Sequence, residues 1–158
     1  MTALATVKTE FSDLADVQQV TQVAIRLVVA VALGGLLGYE RETRGTSAGL
    51  RTHMLVALGS ALFVLVPLQI GTGIADMSRV LQGVIAGVGF LGAGAIIKLN
   101  DEREIRGLTT AASIWLTAAI GIAAGMGREA TAVLSTALAL VILALLRKVK
   151  IADGAEER

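Results

Sequence analysis

Gly107-Leu-Thr-Thr-Ala-Ala-Ser-Ile-Trp-Leu-Thr-Ala-Ala-Ile-Gly-Ile-Ala-Ala-Gly-Met126 runs for 20 residues without a charged side chain. A helix rises about 1.5 Å per residue and bilayer hydrocarbon is about 30 Å thick, so the stretch is near the length needed to cross it. Its apolar residues do not alternate with polar ones, as those of a membrane β-barrel strand would, and helix is the reading. Working outward, comparable runs occur at Val80–Ile97, at Met54–Ala75 and at Leu27–Tyr39, the last extending back through Arg26 to Val20. A fifth run, Ala130–Leu146, is 17 residues long, at the short end of the range. Composition agrees: 54% of the 158 residues are apolar and 17% are charged, against about 25% charge in soluble domains. The expected fold is an all-α membrane protein, a bundle of five transmembrane helices with glycine-rich packing. Residues 20–146 form this domain, residues 1–19 an N-terminal extracytoplasmic tail and residues 147–158 a basic cytoplasmic tail.

Orientation follows from Lys and Arg. The N-terminal tail holds Lys8; the first connection holds Arg41, Arg44 and Arg51; the second holds Arg79. The third holds Lys98, Arg103 and Arg106, the fourth Arg128, and the C-terminal tail Arg147, Lys148, Lys150 and Arg158. With Arg26 set aside as lying inside the first span, the counts run 1, 3, 1, 3, 1, 4. Basic residues are retained on the cytoplasmic side. The expectation is a multi-pass protein of the bacterial inner membrane, N-terminus outside and C-terminus cytoplasmic, which requires an odd number of crossings. Residues 1–19 carry Glu10, Asp13 and Asp16 against one Lys, unlike a cleaved signal peptide. Phe11, Leu14, Ala15 and Gln18 fall at helical spacing, so this segment reads either as a short interfacial helix or as a disordered lead.

Composition also excludes chemistry. The chain has no Cys, one His and one Trp, which removes disulfides, thiolate zinc sites and a Cys nucleophile. A net charge of +1 and 3% aromatics supply neither the basic field nor the stacking surfaces of a nucleic-acid binder. No cofactor and no metal site are expected. No nucleophile–base pair exists beyond His53 with surrounding Ser or Thr, and His53 reads as a membrane-interface residue. An enzyme is not expected.

The 18 glycines need a reason, since each weakens a soluble helix by about 1 kcal/mol against Ala. Gly34/Gly38, Gly83/Gly87 and Gly121/Gly125 are spaced by four, which clears one helix face for close approach of another backbone. These faces are expected to pack the bundle, or to pack two bundles together. Gly87-Val-Gly89-Phe-Leu-Gly92 matches G-x-G-x-x-G, but it lacks the strand, the helix start and the later acid of a dinucleotide site. The functional reading is that Gly87, Gly89, Gly92 and Gly94 thin or break the third helix and expose carbonyls to a cavity. Close helix crossing is the favoured alternative.

No Asp, Glu or Lys lies mid-span, which argues against a proton relay. Glu40, Arg41, Glu42, Arg44, Arg51 and His53 gather at the inner side. Arg41 and Arg51 read as topogenic, headgroup-contacting charges. Asp76 and Arg79 are three apart and share a helix face, with Asp76 capping the helix. Thr110, Ser113 and Thr117 lie on one face of the fourth span; such hydroxyls usually bond within their helix or across to another, and lining a solute path is the lesser reading. Trp115 is mid-span and is expected to fill space left by glycines. Pro67 is expected to kink the second span by freeing the Phe63 carbonyl.

The ordered motifs resemble the membrane domain of the MgtC/SapB family. They are Gly34-Gly-Leu-Leu-Gly-Tyr-Glu-Arg41, Ala48-Gly-Leu-Arg-Thr-His-Met-Leu-Val56, Ser78-Arg79, Gly87-Val-Gly-Phe-Leu-Gly-Ala-Gly94 and Gly107-Leu-Thr-Thr-Ala-Ala-Ser-Ile-Trp115. Within them the candidate functional residues are Glu40, Arg41, Arg51, Thr52, Asp76, Arg79, Gly87, Gly89, Gly92, Gly94, Thr109, Thr110 and Trp115. The resemblance implies five spans with a cytoplasmic C-terminus, and a link to magnesium limitation, survival in phagocytes and acid tolerance. It also implies an inhibitory partnership with the F-type ATP synthase, and the small-residue faces fit a homodimer. Two departures stand out. Many members carry an ACT-like C-terminal domain, whereas this chain stops about a dozen residues after its fifth span, so functions of that domain are not carried over. A Gln common four residues after the third-span Arg falls here at Gly83, with Gln82 one place early. Octahedral Mg²⁺ needs oxygen ligands, yet only Glu40, Glu42 and Asp76 flank the motifs, and Asp76 is expected on the other side. The expected function is non-enzymatic regulation through membrane-protein contact, with a small channel or carrier for Mg²⁺ or another solute as the alternative.

Overall fold

Among the described residues the chain forms six helices, whose bounds follow from where charge, glycine and apolar runs change, and one very short hairpin. The computed structural model describes residues 3–10, 12, 16–98 and 105–149. The elements are α1 (Ala3–Glu10), α2 (Val17–Thr43), α3 (Leu50–Gln69), α4 (Ile74–Ala95), β1 (Ile97–Lys98), β2 (Ile105–Arg106), α5 (Leu108–Gly125) and α6 (Glu129–Val149). Helix α2 starts where the Asp16 carboxylate accepts the Gln18 N–H at 3.3 Å. Helices α2, α3 and α5 stop in one way: a capping residue is followed by Gly45, Gly71 or Gly127 with φ of +67°, +75° and +73°, the left-handed position that glycine adopts without a Cβ penalty. The hairpin pairs Ile97 with Arg106 and Lys98 with Ile105. It delivers the chain to Gly107, at φ +94°, where any Cβ would strike the Ala95 carbonyl.

Four helices, α2 to α5, are long and apolar enough to cross a membrane, and α6 is apolar over the shorter stretch Glu129–Ala144. Short connections make consecutive helices alternate in direction. Helix α5 is the centre and contacts α2, α3, α4 and α6. Its neighbour α3 is gripped between two glycine faces. A Cβ on Gly34 of α2 would lie 2.7 Å from the His53 carbonyl oxygen, and one on Gly38 would lie 2.7 Å from Leu50 Cα. From the other side, Cβ atoms on Gly121 and Gly125 of α5 would fall on the carbonyls of Ala57 and Ala61. The buried cluster around this crossing is mostly alanine: Ala30, Ala57, Ala61, Ala124, Ala132 and Ala139, with Leu33, Leu37 and Ile120. Lipid supplies no hydrophobic push between helices, so backbones this close are held by dispersion across small residues. A second cluster, Val84, Val88, Ile114, Ala118 and Ala48, fastens α4 to α5, and α4 lies at the edge with most of its surface outward.

Several expectations change. Helix α4 is unbroken through Gly87, Gly89, Gly92 and Gly94, so no discontinuous helix exposes carbonyls there. Gly92 meets α5, with a built Cβ 3.7 Å from that of Ala111, whereas Gly83, Gly87, Gly89 and Gly94 have no atom within 4 Å. Close crossing therefore accounts for two of the three glycine pairs and not for Gly83/Gly87. Pro67 lies inside α3 as expected, in its last turn and two residues from its end. Arg26 is not a stray charge in the first span. Its Nη1 donates to the Gly125 carbonyl at 3.4 Å, at the partly negative end of α5, and the first nine residues of α2 project about 13 Å beyond that level. In the N-terminal tail the helix covers Ala3–Glu10; Phe11, Leu14 and Ala15 lie outside the described residues, as does the tail beyond Val149. The hairpin was not legible at all.

Candidate functional site

Polar side chains converge where α2 ends and α3 and α5 begin. The last turn of α2 presents Glu40, Arg41 and Arg44. Arg41 is 6% exposed, its Nε donating to Glu40 Oε2 at 2.5 Å, while Arg44 Nε donates to Oε1 of the same carboxylate at 3.1 Å. One carboxylate thus compensates a buried guanidinium and a more exposed one. Burial corrects the reading of Arg41 as a headgroup contact. Glu42 reaches over the connection, its Oε2 accepting the Leu50 N–H at 2.7 Å, so a carboxylate caps the N-terminus of α3 where the helix dipole is positive. The Thr46 hydroxyl lies 2.9 and 3.0 Å from the carbonyls of Arg41 and Ala48 and folds the connection.

One turn into α3, His53 is fully buried among the helices. Its Nδ1 is 2.9 Å from the Gly49 carbonyl, which can only accept, so Nδ1 carries a proton. Its Nε2 is 3.1 Å from Ser113 Oγ on α5. The single Ser113 hydroxyl proton faces two acceptors, Nε2 and the Thr110 carbonyl at 2.8 Å. Thr117 donates to the Ser113 carbonyl at 2.8 Å. Thr110, Ser113 and Thr117 are all buried; Ser113 and Thr117 bond within α5, and Ser113 also reaches across to α3. A Ser–His pair is in place, but neither residue lines the three principal cavities, and a nucleophile needs room for substrate. His53→Ala is expected to destabilise the bundle by about 3 kcal/mol, as deletion of a buried side chain does. His53→Leu is expected to cost about 1 kcal/mol, because the Gly49 carbonyl keeps the His53 N–H at 3.2 Å and Ser113 keeps the Thr110 carbonyl. Unfolding in detergent micelles followed by circular dichroism measures both.

The remaining candidates do not join this cluster. Arg51, Thr52 and Thr109 are exposed at the same end. Asp76 and Arg79 lie at the opposite end, on α4, as a 3.8 Å ion pair; they share a face as expected, but Gly73, not Asp76, is the N-cap residue. Trp115 is 51% exposed on the outer face of α5 beside Leu81, Val84 and Val88, so it does not fill an internal gap. Among the described residues no group of three His, Asp or Glu could hold a metal ion. Sequence reasoning missed Glu42 as a cap and Ser113 as the partner of His53, 60 residues away.

The family model for the MgtC family matches residues 27–151. The chain belongs to the MgtC family. Among curated MgtC-like relatives, Protein SrpB of Synechococcus elongatus is 44% identical over 131 residues, covering 76% of this chain and 72% of that protein. The Escherichia coli K12 protein YhiD, which carries a provisional magnesium-transporter label, is 44% identical over 126 residues, covering 75% and 58%. Protein MgtC of Brucella abortus is 43% identical over 121 residues, covering 77% and 50%. The chain thus spans between half and three quarters of these relatives. No solved structure matches it.

Proposed function

We propose that this MgtC-family protein is a non-enzymatic regulator of the bacterial inner membrane, tied to magnesium limitation and acting through contact with another membrane complex. The observation that supports this reading best is the closed state of the α5 hydroxyl face. Thr110, Ser113 and Thr117 are buried, and Ser113 and Thr117 are engaged with backbone carbonyls and His53, so the polar row that could have lined a solute path braces helices instead. The magnesium-transporter label of the relative YhiD supports the link with magnesium. That label also sustains the second reading, a carrier or channel.

Orientation belongs to the same proposal. The basic counts of 1 and 3 alternate along the successive connections, which supports an N-terminus outside and a C-terminus in the cytoplasm. Reporters active only in the periplasm are expected to work when fused after residues 77 and 128 and to stay silent after residues 45 and 103; the reverse pattern rejects this orientation. The functional test is purification of the whole chain from native membranes in mild detergent, with chemical cross-linking before extraction. A membrane complex present in fixed stoichiometry, with the F-type ATP synthase as the first candidate, is expected. A protein recovered without cross-linked partners under magnesium limitation would count against regulation by contact.

A further inference from the structure

We propose that the cleft between α3 and α4 binds one glycerophospholipid, with its phosphate on Arg79, an ester carbonyl on the Ser60 hydroxyl and an acyl chain along Gly83 and Gly87. The cleft has a volume of about 640 Å³ and is walled by Gly59, Ser60 and Phe63 of α3 and by Arg79, Gly83 and Gly87 of α4. Its size falls within the range of about 300–1,000 Å³ common for small-molecule sites. Its width comes from glycine. No neighbouring helix comes within 4 Å of a Cβ built on Gly59, Gly83 or Gly87, whereas Gly34, Gly38, Gly121 and Gly125 are filled by neighbouring helices. The same four-residue spacing that closes the bundle elsewhere therefore opens a channel on its flank.

Ser60 supplies the independent sign of a ligand. It is 3% exposed and lines the cleft. Ser113, Thr117 and Thr136 each donate to a carbonyl of their own helix; the hydroxyls of Ser60 and Thr110 make no such bond among the described residues, and of these two it is Ser60 that lines the cleft. A hydroxyl donor in hydrocarbon seeks an acceptor. By helix rise Arg79 lies about 7.5 Å, and Ser60 about 13.5 Å, from the α3–α4 turn. A cation near the boundary, a neutral donor deeper and an apolar trough beyond repeat the order of phosphate, ester and chain in a glycerophospholipid. The Arg79 side chain is 81% exposed, and Asp76 approaches only its Nη1, at 3.8 Å, which leaves guanidinium donors for a phosphate.

The test uses the full chain in mild detergent, stepwise delipidation, native mass spectrometry and titration with phosphatidylglycerol. Wild type is expected to retain one phospholipid after the annular lipid has gone. Arg79→Gln is expected to weaken its retention about tenfold, the loss of one charge-assisted bond, and Ser60→Ala to weaken it less. Gly83→Leu and Gly87→Leu are expected to abolish it with thermal unfolding little changed, since a Cβ at either position has open space before it and the longer side chain enters the cleft. Equal retention in wild type and Arg79→Gln would overturn the proposal, and Arg79, exposed on α4, can be changed without disturbing the fold. So would a wild type that holds no lipid but forms dimers dissociated by Gly87→Leu, which would assign the cleft to a second copy.

Discussion

Gly121→Leu is expected to abolish assembly of the bundle, with a loss of at least about 3 kcal/mol in detergent and little protein recovered from membranes. A Cβ at this position would fall on the backbone of Ala57, and backbone cannot swing aside as a side chain can. Separating α5 from α3 to make room would also open the alanine cluster of Ala57, Ala61 and Ala124, where close contact is the main source of cohesion. Gly125→Leu meets the Ala61 backbone and is expected to behave alike. Gly83→Leu, on an equally spaced pair, is expected to unfold like wild type, and the contrast controls for leucine itself. Thermal unfolding by circular dichroism in one detergent reads all three.

Glu40→Ala is expected to be the next most damaging change, by about 3 kcal/mol. The Arg41 and Glu40 side chains are 8% and 15% exposed, and removing the carboxylate strands a buried guanidinium, a far larger cost than the net worth of the pair. Arg44→Ala removes the more exposed partner of the same carboxylate, whose side chain is 35% exposed, and is expected to cost less than about 1 kcal/mol. Simultaneous Glu40→Gln and Arg41→Met is expected to recover most of the loss, since an apolar replacement of a buried pair is often close to neutral. Equal losses for Glu40→Ala and Arg44→Ala would show that Arg41 reaches water.

The crossing helices were legible because charge-free runs near 20 residues have few other uses. Their ends were less so. Helix α2 continues through Glu40, Arg41 and Glu42 because those charges are paired or capping, and α4 begins before Asp76 because an acid in a first turn favours the helix dipole. Spacing alone showed that Gly34/Gly38, Gly83/Gly87 and Gly121/Gly125 each clear a face, but not what meets it. Two pairs meet α3 and one lines the cleft. The contact between His53 and Ser113 is set by how α3 lies on α5, and no local pattern encodes it. Arg41 looked like a topogenic charge for the same reason: burial at a helix end depends on neighbours far along the chain.

The closed α5 face is tested most directly by Mg²⁺ flux into proteoliposomes that carry the purified chain and an entrapped magnesium-sensitive dye. With Thr110, Ser113 and Thr117 buried inside the bundle, entry at the rate of protein-free vesicles is expected, in both membrane orientations and across a magnesium gradient. Saturable entry that Thr110→Val abolishes, while leaving unfolding unchanged, would contradict regulation by contact and establish a path along α5.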